Sequence, residues 1–273
     1  MKALALTAQW PVPTVAAAVV LPDGTIESVG DLDHPFRLAS IAKLLVGWTM
    51  LVAVEEGTVS LDQPAGQAGC TLRHLLAHAG GYAFDGPDPI ARPGQRRIYS
   101  NTGIEVAAAA LADAAGMPYS DYQHEALLQP LGMTATTLQG SPAHGVRSTV
   151  RDLLTLITEL RAPRLLAPET AGLFSTVQYP GLPGLVPGVG RYADCSWGVT
   201  AEIRGSKQPH WTGSRNSEAT YGHFGGAGTL LWVDPGAHIA LVALTDRRFD
   251  DWSAIALQAW PQLADAVLAE AGA

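Results

Sequence analysis

The stretch from Ala39 to Glu56 constrains this chain more than any other. Ile41, Leu44, Leu45, Val46, Trp48, Leu51, Val52 and Val54 fall on every side of a helix of that length, and Gly57 follows where a left-handed residue closes such a helix. A helix apolar all round must be wrapped by other elements, so it belongs at the centre of a core. The chain has the material to wrap it, with 273 residues, 47% of them hydrophobic and only 15% charged. That composition excludes intrinsic disorder.

The rest of the chain supplies the wrapping. Val15–Leu21 and Thr25–Val29 flank Asp23-Gly24 as a hairpin, and strand character returns at Ser196–Ile203, Thr229–Val233 and His238–Leu244. Helices are expected at Leu72–His78 with Thr71 as cap, Thr102–Ala115, Asp121–Gln129 with Ser120 as cap, Thr149–Arg161 with Ser148 as cap, and about Trp252–Ala269. Tyr179 to Gly190 carries too much Pro and Gly for either period. The expected fold is α/β (α+β): an antiparallel sheet of about five strands built from both ends, 1–57 plus 191–273. An all-helical insertion over 58–190 would interrupt it.

An acidic balance, 25 Asp and Glu against 17 Lys and Arg with no basic block, argues against nucleic acid and anionic membranes as partners. No run approaches 18 apolar residues, and Ala3–Leu6 is shorter than a signal-peptide core, so a cytoplasmic protein is expected. Cys70 and Cys195 are too few for a disulfide framework or a zinc site and read as two buried free thiols. His74 and His78 share helical spacing, yet no Glu lies between them and no third ligand is evident, so no metal is expected.

Lys43 lies in the apolar helix, and the chain has only two other lysines, Lys2 and Lys207. Three positions before it stands Ser40, on the same face at the first turn. Thirteen serines, each with 3 chances in 273 of a lysine three places on, predict about 0.14 such pairs, so this one is worth following. A serine hydroxyl needs a base to become a nucleophile, and a desolvated lysine can be that base. The helix start adds N–H groups that favour an oxyanion. The plainer alternative is a capping serine beside a lysine that reaches the surface.

Tyr99-Ser100-Asn101 precedes another helix. A phenol near a lysine can be held partly ionised and pass protons, and an Asn amide can bind a carbonyl; alternatively Asn101 is simply the N-cap. Seven Tyr and two Asn predict about 0.05 Tyr-x-Asn pairs by chance. His223-Phe224-Gly225-Gly226 is the third group, read as heading a strand, where glycines let a backbone or ligand approach closely.

Ser-x-x-Lys, Tyr-x-Asn and His-x-Gly in this order resemble the class C β-lactamase and penicillin-binding protein superfamily, which includes DD-peptidases and esterases. Phe36–Ser40, Glu55-Glu56-Gly57, Leu72–His78, Pro93-Gly94 and Leu231–Pro235 resemble that family's text as well, from about residue 12 to 265. The resemblance implies a β-lactamase-like fold with no cofactor and an active site between the sheet part and the helical insertion. It implies Ser40 as the acylated nucleophile, with Lys43 and Tyr99 as proton carriers. Asn101, His223, Phe224 and Gly225 would bind substrate, and the Ser40 and Gly226 N–H groups would form the oxyanion hole. Phe224 stands where the family usually has a hydroxyl residue that helps bind a carboxylate. That departure favours small esters or amides over β-lactams and D-alanyl-D-alanine peptides. A β-lactamase or D-alanyl-D-alanine carboxypeptidase is the alternative within the family, and a catalytically silent ligand-binding domain the alternative outside it.

Overall fold

The computed structural model describes residues 1–273. The strands are β1 (Val15–Val20), β2 (Ile26–Val29), β3 (Phe36–Arg37), β4 (Thr137–Leu138), β5 (Val146–Ser148), β6 (Gly184–Val186), β7 (Gly190–Tyr192), β8 (Glu202–Ile203), β9 (Tyr221–Gly225), β10 (Thr229–Asp234) and β11 (Ile239–Thr245). The helices are α1 (Ala42–Glu55), α2 (Leu72–Leu76), α3 (Asn101–Ala115), α4 (Tyr119–Gln123), α5 (Gln129–Leu131), α6 (Val150–Arg161), α7 (Pro168–Ser175) and α8 (Ser253–Glu270). The main sheet has six strands, one more than expected, in the antiparallel order β2-β1-β11-β10-β9-β8.

Strand alternation divides the core. Ala16, Ala18, Leu231, Val242 and Leu244 face the cluster that holds α1 and α6. Ala17, Val19, Leu230, Trp232 and Leu241 face Trp260, Leu263 and Val267 of α8. Helix α1 is buried along nearly its whole length, from Ala42 to Ala53, as its uniform hydrophobicity requires. Gly47 lets it lie where it does, because a Cβ there would stand 2.7 Å from the Val199 carbonyl oxygen. Helix α6, within 58–190, packs on β1 and β11, so that stretch contributes to the sheet layer as well as to the helices across the site.

Several boundaries differ from expectation. Ser40 lies on a 3-10 turn, Ala39–Ile41, and the α-helix begins only at Ala42. Part of Tyr179–Gly190 pairs as the β6–β7 hairpin. Of Ser196–Ile203 only the last two residues are strand, because Trp197 bridges back to Glu202 around Thr200, whose φ is +62°. His223 lies in the middle of β9 and does not head the next strand. Thr149, not Ser148, caps α6, its extended backbone aiming the side-chain oxygen at the Asp152 N–H. Helix α4 starts at Tyr119 after Pro118, ahead of Ser120. The 3-10 helix Ala3–Gln9 and α7 were not anticipated.

Candidate active site

Ser40 is placed by a backbone crowded on two sides. Ala39 is held at φ +48°, a strained conformation for a residue with a side chain. The Leu38 N–H donates to the Val146 carbonyl and the Thr229 hydroxyl donates to the Leu38 carbonyl at 2.8 Å. A Cβ on Gly225 would stand only 2.2 Å from that same Leu38 oxygen. Gly225 therefore acts by letting β9 approach the Ser40 turn.

Lys43 is fully buried one turn further on. Its Nζ lies 2.7 Å from Asn101 Oδ1, 3.0 Å from the Ala143 carbonyl and 3.3 Å from Ser40 Oγ. Two of these partners only accept, so they fix two N–H bonds and leave the third direction aimed at Ser40. In the neutral amine that direction is a lone pair. Burial lowers the Lys43 pKa to about 7, against the opposing pull of Asp85 and Glu105. The Ala143 carbonyl is itself steadied by Ser141, whose hydroxyl accepts from the Ala143 N–H and donates to Glu105.

Ser100, not Asn101, caps α3, through the Gly103 N–H. This frees the Asn101 amide, whose nitrogen donates to Asp85 at 3.0 Å while its oxygen accepts from Lys43. The Tyr99 ring lies 4.8 Å from Lys43 Nζ and packs on His78 and Trp197. Burial raises the Tyr99 pKa, with the Ser40 hydroxyl pulling the other way, so Tyr99 holds its proton and is not the partly ionised phenol expected. Its hydroxyl is 3.3 Å from His223 Nε2. His223 Nδ1 donates to the Phe224 carbonyl at 2.6 Å, which leaves Nε2 of a neutral ring to accept from Tyr99. Burial and then Lys43 lower the His223 pKa to about 3, so the ring is neutral.

Ser40, Tyr99, Trp197, His223 and Gly226 line one cavity of about 280 Å³ with Phe84, Val186, Phe224 and Phe249. Phe224 forms part of the wall, but its ring is wedged against Phe249, Trp260 and Trp211 on the α8 side of the sheet. It is a core residue as much as a pocket residue. The charged side chains of this wall are carboxylates, Glu202 and Asp250. Four of the sequence-selected residues, Ser40, Tyr99, His223 and Phe224, thus share one cavity with Gly226, while Lys43 and Asn101 stand outside its lining and reach Ser40 through the Lys43 amine.

The sequence model of the Beta-lactamase family matches residues 5–264. This chain belongs to the beta-lactamase family. It is a member of the serine hydrolase superfamily, and the antiparallel sheet flanked by helices is the β-lactamase-like fold. It is similar to a β-lactamase from Mycobacterium bovis, at 47% identity over 98% of this chain and 99% of the other, with a TM-score of 0.95. The D-alanyl-D-alanine-carboxypeptidase/endopeptidase AmpH of Escherichia coli (strain K12) is 28% identical over 41% of this chain. The match spans only 38% of that relative's length. The hydrolase EstCE1, described as having promiscuous acyltransferase activity, shares the fold at 19% identity and TM-score 0.80, over 98% of this chain and 97% of its own.

Within this family member, some site residues escaped the sequence reading. Ala143 acts through its carbonyl, which no side-chain pattern signals. His78 sits beyond the end of α2, at φ +55°, and its Nδ1 accepts from the Ser100 N–H. His74 instead belongs to the Thr71 capping box and stacks on Tyr179, so the two histidines share neither helix face nor role. Glu202 forms the rear of the cavity and is buried with Lys207 at 3.2 Å, His210 at 3.1 Å and Trp211 Nε1 at 2.7 Å. Burial would raise its pKa, but Lys207 and His210 prevail and hold it at about 2. Cys70 and Cys195 are buried and form no disulfide.

Proposed function

We propose that this protein is a serine acyl-transfer hydrolase for small esters or amides. The observation that carries the proposal is the buried Lys43 amine, tethered by two carbonyl acceptors with its third direction on Ser40 Oγ. Ser40 attacks the substrate carbonyl and gives its proton to neutral Lys43. The oxyanion takes hydrogen bonds from the backbone N–H groups of Ser40 and Gly226, each worth roughly 10²–10³ in rate. Tyr99 passes a proton to the leaving group and is reprotonated from Lys43, while neutral His223 keeps the phenol oriented. Water then attacks the acyl-Ser40 ester and releases the acid. Asn101 acts through its grip on Lys43, Phe224 forms part of the wall, and Gly225 lets β9 approach the Ser40 turn. No cofactor enters this scheme. The small cavity has no lysine or arginine in its lining and carries the Asp250 carboxylate beside the Lys207-paired Glu202, which supports neutral acyl groups.

A fluorophosphonate probe tests the assignment by intact mass: one adduct on Ser40 is expected, and none on Ser40→Ala, which also fails to turn over p-nitrophenyl acetate. An unlabelled Ser40, or undiminished turnover by Ser40→Ala, would overturn it. The names of the M. bovis and E. coli relatives favour a second reading, hydrolysis of β-lactams or D-alanyl peptides. Turnover of a chromogenic cephalosporin faster than of p-nitrophenyl acetate would select it.

A further inference from the structure

A second cavity, of about 780 Å³, adjoins the catalytic one and shares Phe84, Tyr99 and Pro187 with it. One of its walls is the segment Arg96–Tyr99 and the other the β6–β7 hairpin. The hairpin is anchored rather than loose. The Arg97 N–H donates to the Pro183 carbonyl, the Cys195 N–H donates to Leu182, and a Cβ on Gly184 would stand 2.5 Å from Arg97 Cβ. Arg97 itself is buried and spends its guanidinium on the carbonyls of Ala77, Cys195, Gln178 and Tyr179.

Arg96 and Arg191 differ. They stand on opposite walls, are exposed, and neither is among the ion pairs of the chain. The chain is acidic, with a formal net charge of −8, so two free guanidiniums in one groove are a local reversal of sign. Between them the groove is apolar: Phe84 is 51% exposed and Leu185 37%, two of the few large hydrophobic side chains left to solvent. Such a combination of apolar walls and a small number of placed polar groups is what a ligand site needs, and the volume is in the drug-sized range. Tyr99 is the boundary between the cavities, and in the reading proposed above Tyr99 delivers the leaving group's proton. The leaving group therefore departs toward this groove.

We propose that the groove beyond Tyr99 is a leaving-group subsite for an extended alcohol or amine with an apolar body and a distal anion, held by Arg96 and Arg191. The small cavity has no lysine or arginine in its lining to hold an anion beside the scissile bond, its charged residues being Asp250 and the Lys207-paired Glu202. This rests on the acyl-transfer reading, and the test separates the two. Three acetyl esters of one phenol, 7-hydroxycoumarin, differ only at the distal 4-position: neutral methyl, carboxymethyl, and phosphonomethyl. The kcat/KM of one or both anionic esters is expected to exceed that of the neutral ester by about tenfold or more, as charge-assisted contacts to two guanidiniums imply. Which of the two gains more identifies the anion as carboxylate-like or phosphate-like. The double variant Arg96→Gln/Arg191→Gln should bring the anionic-to-neutral ratio to about one, and Arg191→Glu should push it below one. Both sites are exposed, so folding is not at risk. Equal rates on all three esters, or a preference that survives the double variant, would overturn the subsite while leaving the acyl-transfer reading intact. Failure to hydrolyse even the neutral ester, with Ser40 unlabelled, would instead overturn that reading.

Discussion

The pH dependence of Ser40 acylation tests the chemistry most directly, because only one group near Ser40 is placed to titrate near neutrality. Lys43 is held at about 7, His223 at about 3, and Tyr99 is raised above its ordinary value. At pH 7 about one half of Lys43 is the free amine, against about 3 in 10,000 for an unperturbed lysine at 10.5, so burial supplies roughly 1,500-fold more base. The rate of labelling by a fluorophosphonate, measured by quenched mass spectrometry, should rise about tenfold per pH unit below 7 and level off above it. Glu105→Gln removes a carboxylate that holds the Lys43 pKa up, so the inflection should move to lower pH. The same burial has a thermodynamic signature. Folding lowers the Lys43 pKa, so between 7 and 10.5 the unfolded chain carries a proton that the folded chain has lost. Stability from this group must rise with pH by about 1.4 kcal/mol per unit across that window, about 5 kcal/mol in all, and is lost as pH falls to 7. Urea unfolding of wild type and Lys43→Met at pH 7 and 9 isolates it: the difference should shift by about 2–3 kcal/mol in favour of wild type at pH 9. A labelling rate flat from pH 5 to 9, or a difference that does not change with pH, would refute Lys43 as the buried base.

Tyr99→Phe keeps the ring packing on His78 and Trp197 but loses the hydroxyl. Its kcat/KM for p-nitrophenyl acetate should fall by about 10²–10⁴ with the melting temperature nearly unchanged. Gly225→Ala should cost about 1–3 kcal/mol or more in urea unfolding and reduce turnover as well, since the new methyl meets the Leu38 carbonyl beside Ser40. Glu202→Gln leaves buried Lys207 without its countercharge and should destabilise the fold by about 3–5 kcal/mol, visible as a lower urea midpoint.

The sequence by itself determined the parts governed by local pattern and by residue scarcity. The all-apolar helix around Lys43 had to be central, the Asp23-Gly24 hairpin had to pair β1 with β2, and the rarity of Lys, Tyr and Asn made Ser40, Lys43, Tyr99 and Asn101 stand out. Tertiary structure decided everything that depends on who meets whom. Lys207, as rare as Lys43 and as buried, carried no motif, and only the fold reveals it as the partner of Glu202. For Asn101 the sequence left two roles, amide ligand or helix cap, and the fold gives the cap to Ser100 and the Asn101 amide oxygen to Lys43. For Gly225 the sequence left a backbone or a ligand as the close neighbour, and the fold puts the Leu38 backbone in the space a side chain would need. Phe224 looked like a substrate determinant, and the fold gives it a second role that the sequence does not signal, since its ring lines the cavity and also packs in the layer under α8. The Ala143 carbonyl, the strained Ala39 and the arginine-lined groove have no sequence signature at all. The Ala143 carbonyl and the two walls of the groove come from segments distant in the chain from those they face, and only packing brings them together.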